Sequence, residues 1–358
     1  MTEKDFIPSA YSKTLEKGSF EWSAPSNIAL VKYWGKKASQ IPANPSISFT
    51  LNECKTITKL AYEHKENSGI SFDLLFEGQP KESFRPKIEK FFERTAEYLP
   101  FAKDYNFTID TRNTFPHSSG IASSASGMAA LAVNLMSLER ELNPAMTDEY
   151  FNQKASFLAR LGSGSAARSI KGKVVIFGEH EGTPGSSNLY GTEFANLHET
   201  FQNYKDTILL VDKGEKQVSS SVGHDLVHGH PFAEERFKQA HRNLSAMKDI
   251  LSAGDLDGFI KYTESEALIL HAIMMTSMPY FILMKPNTLE IINHIWKFRQ
   301  DTGTPVCFTL DAGANVHVLY PESVAAGVLD FIKSELLAYC QNNQYICDEV
   351  GTGALSLY

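Results

Sequence analysis

The sequence predicts an α+β fold divided into two domains, and three observations support this. The chain has 358 residues, more than one hydrophobic core of ordinary size accommodates. Strand-like and helix-like segments both occur, but they do not alternate strictly as in repeated βαβ units. No G-x-G-x-x-G motif follows a predicted strand, so a Rossmann-type dinucleotide site is not expected.

In the first half, hydrophobic patterning assigns both kinds of element. Alternating or short apolar runs predict strands at 46–51, 57–62, 69–76, 105–111 and 173–177. Helical spacing predicts a helix at 84–98, and 120–138 is typical of a buried helix. Residues 178–200 are rich in Gly, Ser, Asn, His and Glu, which is typical of a long surface loop.

The second half contains longer helical patterns. Helices are expected at 232–252, 255–275, 288–301 and 323–340, and strands at 207–211, 306–310, 316–320 and 345–350. We place the domain boundary within the Gly/Ser-rich loop. The predicted domains are residues 1–195, which hold the phosphate-binding segments, and residues 196–358, which hold Asp311.

Composition and charge restrict the classes of protein that fit. Hydrophobic residues make up 42% and charged residues 21% of the chain, as in soluble globular proteins. The formal net charge of −8 argues against nonspecific binding to nucleic acid or to an anionic membrane. We therefore expect neither as a partner, although a local cluster of Lys and Arg can still bind an anionic small molecule.

The cysteines and the N-terminus favour a cytoplasmic location. Cys54, Cys307, Cys340 and Cys347 lack CxxC or metal-ligand spacing, which is typical of a reduced protein. The polar start of the chain contains no apolar signal segment. No run reaches the roughly 18 apolar residues that a membrane span requires.

The segment LARLGSGSAARSIKG, residues 158–172, predicts an anion site. A helical run ends near Gly162 and Gly164, and Ser163, Ser165 and Arg168 follow closely. Backbone N–H groups at a Gly/Ser turn and at the start of a new helix attract an anion. An Arg about one turn into that helix adds a fork suited to a carboxylate or phosphate.

Two further segments offer groups for phosphate. In NIALVKYWGK, Lys32 and Lys36 flank Tyr33, and in an extended strand both lysines would share one face. A strand with solvated lysines beside a core tryptophan is the alternative. In FPHSSGIASSASG, small residues at a helix start allow phosphate oxygens close to backbone N–H groups. A small-residue helix packed on a sheet is the alternative there.

Asp311 is the candidate general base. It ends an apolar run and precedes Ala-Gly-Ala-Asn, so a strand would hold its carboxylate rigidly at a loop. A turn-forming aspartate is the alternative. The group His224, His228 and His230 has metal-like spacing, but nothing else supports a zinc site and a polar loop is the preferred interpretation.

Together these segments resemble one family. KYWGK followed by NPSISFTL, FPHSSGIASSASG, GSGSAARS and DAGAN occur in the order seen in diphosphomevalonate decarboxylases. These enzymes belong to the superfamily of galactokinase, homoserine kinase, mevalonate kinase and phosphomevalonate kinase. The resemblance implies two α+β lobes with the active site between them, and an N-terminal lobe like ribosomal protein S5. It also implies a homodimer.

The resemblance implies an ATP-dependent decarboxylation of a phosphorylated mevalonate. Its catalytic residues would be Asp311 at the 3-hydroxyl, Lys32 near the transferred phosphoryl group and Arg168 on the substrate carboxylate. The substrate's phosphate end would contact Tyr33, Lys36, Ser163, Gly164 and Ser165. The ATP phosphate loop would comprise Ser118, Ser119, Gly120, Ala122, Ser123 and Ser124. Ser123 or Ser124 would lie near Mg²⁺, which ATP phosphates would mainly hold.

Several residues depart from the family pattern. His117 and Ser118 stand in the phosphate loop, Ala314 replaces a proline, and His224 replaces a methionine in a Ser-Ser-x-x-Gly-Met stretch. The leading hypothesis is decarboxylation of mevalonate 5-diphosphate. Three alternatives stay open: the same reaction on mevalonate 5-phosphate, a 3-kinase without decarboxylation, and a catalytically silent ATP-binding homologue.

Overall fold

A computed structural model describes residues 1–11, 13–116, 121–212 and 220–357, and its strands form two sheets. The strands of the first sheet are β1 (Lys17–Val31), β2 (Ser46–His64), β3 (Ser71–Phe76), β4 (Gln79–Pro80), β5 (Tyr105–Asn113), β6 (Val174–Phe177), β7 (Thr192–Glu193) and β12 (Leu355–Ser356). Their order is β12-β1-β2-β5-β3-β4; β6 pairs with β2, and β7 with β6. Among these pairings only β3 with β5 is parallel.

Helices cover one face of this sheet. They are α1 (Arg85–Thr95), α2 (Ser123–Leu142) and α3 (Asp148–Gly162). The small and apolar residues of α2 let it pack closely, and Asn134 Nδ2 donates to Thr58 O of the sheet at 3.0 Å. Thr147 caps α3 by accepting from Tyr150 N. The core of the first lobe lies between these helices and the sheet.

The second sheet has the order β11-β8-β10-β9 and is antiparallel throughout. Its strands are β8 (Lys205–Leu209), β9 (Cys307–Leu310), β10 (Val316–Tyr320) and β11 (Tyr345–Glu349). The helices of this lobe are α4 (Ser220–Asp225), α5 (Ala233–Ala253), α6 (Leu256–Thr276), α7 (Pro286–Thr302) and α8 (Ala325–Phe331). The predicted α+β class is therefore confirmed.

The two lobes share a hydrophobic core. Ile28 and Phe49 from the first sheet belong to the same buried cluster as Leu244 of α5 and Phe259 of α6. Phe49 and Phe259 stack with ring centroids 5.9 Å apart. The first part of β2 is accordingly buried on both faces, whereas buried and exposed residues alternate farther along. Burial of this area fixes the two lobes against each other.

Three expectations about these elements differ from the structure. Residues 46–51 and 57–62 are one strand, β2, because its first part is covered on both faces. The strand β1 ends at Val31, so Lys32 and Lys36 are not on a strand; Gly35, with φ of 88°, turns the chain there. In place of the helix expected at 323–340, the α-helix α8 spans only Ala325–Phe331, and a π-helical turn, Ile332–Leu336, follows it.

Two loops also differ from expectation. The helix expected after Ser165 is a five-residue 3₁₀ turn, Gly164–Arg168, too short to provide a strong helix dipole. The segment 178–200 includes β7 and is tied to the first lobe where Gly191 N donates to Ser156 Oγ. The boundary at 195/196 stays a prediction, although β12 returns from the C-terminal end to the first sheet. Within the described ranges, no helix is long and apolar enough to cross a bilayer.

Candidate active site

A cavity of about 390 Å³ lies where the ends of β1 and β9 meet α2, α3 and α4. Every predicted site residue that the structure describes lines it. These residues are Lys32, Tyr33, Lys36, Ala122, Ser123, Ser124, Ser163, Gly164, Ser165, Arg168 and Asp311. Ser118, Ser119 and Gly120 lie outside the described residues. Segments that are far apart in sequence therefore meet at one cavity between the lobes.

Lys32 follows β1 directly and is buried, with 1% of its surface exposed. Its Nζ donates to Ala29 O at 2.7 Å. Burial lowers the pKa of Lys32 to about 8, against the opposing effects of Asp311 and Glu266. The ammonium is therefore mostly protonated at neutral pH, but it titrates within reach of ordinary assays.

The backbone at Lys32 is held by the second lobe. Glu266 of α6 is fully buried and accepts a hydrogen bond from Lys32 N at 2.9 Å. Its carboxylate also accepts from Arg236 and Asn243 of α5, each at 2.5 Å. Because a buried carboxylate requires such partners, this network fixes the end of β1 on α6.

Arg168 is oriented by two polar side chains. Its Nε donates to Asn27 Oδ1 at 3.2 Å, and its Nη1 donates to Ser46 Oγ at 2.6 Å. The guanidinium lies 5.7 Å from the centre of the Tyr33 ring. Burial lowers the pKa of Arg168 to about 10, which still leaves it charged at neutral pH. A buried and fixed guanidinium of this kind suits a carboxylate ligand.

The Gly/Ser turn packs against Tyr33. A β-carbon at Gly164 would overlap the Tyr33 hydroxyl, so a larger residue here would force the Tyr33 side chain to shift. Asn27 Nδ2 donates to Ser165 O at 3.1 Å and to Ser169 Oγ at 2.8 Å. Asn27 thus joins the turn to Arg168, and the turn and the guanidinium form one rigid wall.

The N-terminus of α2 forms a second wall. Ala122 precedes this helix with φ of 46°, in the left-handed region that a non-glycine residue rarely adopts. Lys87 of α1 donates a hydrogen bond to Ser124 Oγ. The first N–H groups of a helix have no partners within the helix. With Lys87 alongside, this end of α2 is suited to phosphate.

Asp311 lies immediately after β9 and lines the same cavity. Its loop is fixed at both ends: His271 Nε2 bonds Asp311 O at 3.2 Å, and Thr288 Oγ1 donates to Ala314 O at 2.7 Å. The carboxylate is thus presented from a constrained backbone. Its negative charge also raises the pKa values of Lys32 and Arg168, which opposes the effect of their burial.

A second, smaller cavity of about 240 Å³ adjoins the first at α2. Its walls are mostly apolar and include Leu74, Phe76 and Leu131. Lys87, Ser123 and Ser124 line both cavities. The two cavities therefore meet at the predicted phosphate loop.

Sequence patterns did not identify several residues of the site. Lys87 carried no signal, because one lysine on a surface helix is ordinary. Asn27 had a weak signal, a polar residue within the apolar run that leads to Lys32. Gln40, which carried no signal, also lines the cavity, and so does His224, which the sequence singled out only as a departure from the family pattern and as one of three nearby histidines. Glu266 is visible only in the structure, since its partners come from distant segments.

The three histidines near residue 224 have separate partners. His224 Nδ1 accepts from Gly35 N at 3.1 Å, His228 Nε2 lies 2.7 Å from Lys36 O, and His230 Nε2 lies 3.0 Å from Thr276 Oγ1. Among the described residues, no group of three or more His, Cys, Asp or Glu could hold a metal ion.

Two α+β lobes with a cavity suited to phosphate between them place this chain in the superfamily of galactokinase, homoserine kinase, mevalonate kinase and phosphomevalonate kinase. Two family models divide the chain. The diphosphomevalonate decarboxylase-like N-terminal domain matches residues 24–188, and the mevalonate 5-diphosphate decarboxylase C-terminal domain matches residues 207–352. The chain belongs to the diphosphomevalonate decarboxylase family.

Similar proteins support this membership across most of the chain. Diphosphomevalonate decarboxylase of Debaryomyces hansenii is 31% identical over 329 residues, covering 87% of this chain and 81% of that protein. The Saccharomyces cerevisiae enzyme is 29% identical, covering 83% and 76%.

Solved structures share the fold. Mevalonate diphosphate decarboxylase of Staphylococcus aureus has a TM-score of 0.82 at 26% identity, covering 96% of this chain and 98% of that one. A structure described as MDDEF in complex with MVAPP, AMPPCP and magnesium has a TM-score of 0.80 at 25% identity, covering 95% and 99%.

Proposed function

We propose that this chain catalyses the ATP-dependent decarboxylation of mevalonate 5-diphosphate to isopentenyl diphosphate, ADP, phosphate and CO₂. The observation that carries the proposal is the cavity that Lys32, Lys36, Arg168 and Asp311 line together. Such a cavity offers separate partners for a carboxylate, a phosphate chain and a hydroxyl. Family membership and the MVAPP complex of a similar structure favour this substrate.

Arg168 is the proposed partner of the substrate carboxylate. Its guanidinium is buried and held by Asn27 and Ser46, so it needs little reorganisation when an anion binds. The phosphate end would contact Tyr33, Lys36 and the turn formed by Ser163, Gly164 and Ser165. In this pose the 3-hydroxyl lies near Lys32 and Asp311.

ATP and Mg²⁺ are the cofactors, as in the similar complex with AMPPCP and magnesium. We place the triphosphate at Ala122, Ser123, Ser124 and Lys87, and the base in the apolar 240 Å³ cavity beyond them. The nearby donors are serine hydroxyls, and such a set fits a Mg²⁺ held mainly by phosphate oxygens and water. When bound, Mg²⁺ would neutralise charge on the phosphates.

The proposed chemistry has two steps. In the first step the Asp311 carboxylate accepts the proton of the 3-hydroxyl. The hydroxyl oxygen bonds to the γ-phosphorus of ATP, and ADP leaves. The new phosphate then leaves with the electrons of the C3–O bond. The bond between the carboxylate carbon and C2 breaks, its electrons form the double bond between C2 and C3, and CO₂ is released. The Lys32 ammonium stabilises negative charge at the transferring oxygens.

The test follows all products from mevalonate 5-diphosphate labelled at C1. We expect one CO₂ and one phosphate for each ADP formed. ADP formed without CO₂ would show a 3-kinase instead, and no turnover with intact ATP binding would show a silent homologue. The roles of Arg168 and Lys32 disfavour both alternatives, since each group is matched to a part of the full reaction.

We also propose a homodimer in the cytoplasm. Phe232, Met278, Tyr280 and Ile282 are each more than 60% exposed, and exposed apolar side chains near one another are typical of protein–protein interfaces. A groove lined by Phe232 and Thr276 adjoins this surface. The described cysteines are all unpaired, which suits a reducing compartment. One protomer has a mass of 39.8 kDa, and light scattering of the purified chain should give twice that mass.

A further inference from the structure

The side chain of His224 is held in one orientation at the cavity wall. Its ring lies between Tyr33 and Trp34, with both pairs of ring centroids 4.7 Å apart. The preceding Gly223 makes this packing possible, since a β-carbon there would lie 2.7 Å from Trp34 Cη2. His224 lines the same cavity as Lys36 and Arg168.

The hydrogen bond of the ring fixes its tautomer. Gly35 N donates to His224 Nδ1 at 3.1 Å, so Nδ1 carries no proton and the neutral ring holds its proton on Nε2. No atom of the described residues bonds to Nε2. Within the described part of the chain, the imidazole therefore keeps one N–H donor available.

The surroundings keep this imidazole neutral. Burial, followed by the charge of Lys36, lowers the pKa of His224 to about 3. Arg168 and His228 also lower it, and only Asp311 acts in the opposite direction. The ring is accordingly an uncharged donor at any pH at which the enzyme would be assayed, and the donor is the same throughout that range.

We propose that His224 is a specificity-determining residue that donates from Nε2 to the phosphate end of the substrate. This inference rests on the proposed function. Two neighbours of the ring, Tyr33 and Lys36, are the residues assigned to that end of the substrate. The Lys36 ammonium supplies positive charge for the phosphates, and the neutral N–H of His224 adds a hydrogen bond beside it. Such a hydrogen bond to a charged acceptor is strong only when donor and acceptor are aligned.

The test compares His224→Met with His224→Gln. Methionine has a similar length without a donor, whereas the glutamine amide places an N–H near the position of Nε2. We expect His224→Met to raise KM for mevalonate 5-diphosphate about ten- to hundredfold, the range for a lost hydrogen bond to a charged group. We expect kcat to stay within about threefold of the starting enzyme, and His224→Gln to recover most of the loss in KM.

Inhibition by the product isopentenyl diphosphate shows which end of the substrate His224 contacts. This product retains the phosphates but lacks the carboxylate and the 3-hydroxyl. Its inhibition constant should rise in His224→Met by the same factor as KM. His230→Met is the matched control, because His230 bonds Thr276 outside the cavity, and its KM should be unchanged.

Three outcomes would overturn the inference. KM could be unchanged in His224→Met, KM could rise without a change in product inhibition, or both variants could lose kcat alone. Comparing Met with Gln at equal folded fraction keeps the test decisive even where one variant is less stable. Failure of the starting enzyme to release CO₂ would instead contradict the proposed function.

Discussion

The chemistry at the scale of single residues depends on burial. Lys32 and Arg168 are each at most 3% exposed, yet both face the same cavity as Asp311. Desolvation makes their charges less stable in the folded protein and strengthens their attraction to an anion that binds beside them. The desolvation that costs free energy when the protein folds therefore strengthens the binding of an anionic substrate. Asp311 is the one carboxylate that lines this cavity among the described residues.

Replacing Asp311 tests its role as the base. Asp311→Asn keeps the shape but cannot accept the hydroxyl proton, so we expect kcat to fall about 10²–10⁴-fold, as for loss of a general base. ATP affinity should change little, since the proposed contacts of the ATP phosphates, Ala122, Ser123, Ser124 and Lys87, do not include Asp311. Asp301→Asn, on an exposed i,i+4 pair with Lys297, should leave both values unchanged. Near-normal turnover of Asp311→Asn would remove this residue from the mechanism.

The lowered pKa of Lys32 predicts a pH dependence. The charged form is present below its pKa of about 8 and is lost as pH rises through that value. If the ammonium stabilises the transferring phosphoryl group, kcat/KM should fall above about pH 8, because this parameter reports the free enzyme. Measuring kcat/KM from pH 6 to 10 checks this. A profile that stays flat until pH 10 would contradict it.

At the scale of elements, the site is built where chain segments end. Lys32 follows β1, Asp311 follows β9, and Ser123 begins α2. Gly, Ser and charged residues at such ends leave a signal in the sequence, so these segments were predictable from it. Lys87 and Glu266 were not, because Lys87 is an ordinary lysine in the first turn of α1 and Glu266 an ordinary acid in the middle of α6. Their function arises from tertiary neighbours, Ser124 and Lys32, that local patterns do not encode.

Gly164 provides a test of the Gly/Ser turn. In Gly164→Ala the added methyl would meet the Tyr33 hydroxyl, so we expect a loss of about 1–3 kcal/mol in stability and a higher KM. Tyr33→Phe in the same chain should restore part of the melting temperature, because it removes the overlapping oxygen. Gly327→Ala is the control, since its β-carbon meets nothing within 4 Å. Equal melting temperatures for both alanine variants would refute the packing argument.

At the scale of the whole molecule, the site depends on both lobes. Glu266 binds Lys32 N from the second lobe, and Asp348 of β11 accepts from Asn52, Glu53 and Cys54 of β2. The shared core adds to these links. The α+β class and the two lobes followed from pattern and resemblance, whereas this joint core did not. Hydrophobic periodicity shows that a face is buried but not which element buries it.

The most direct test of the central claim compares two substrates in one assay of CO₂ release. Lys36, Tyr33 and the Gly/Ser turn offer more phosphate contacts than a single phosphate uses. Each hydrogen bond to a charged group is worth about 1.5–3 kcal/mol, roughly tenfold or more in affinity. We predict kcat/KM at least about 100-fold higher for mevalonate 5-diphosphate than for mevalonate 5-phosphate. Equal values, or a preference for the monophosphate, would contradict the account.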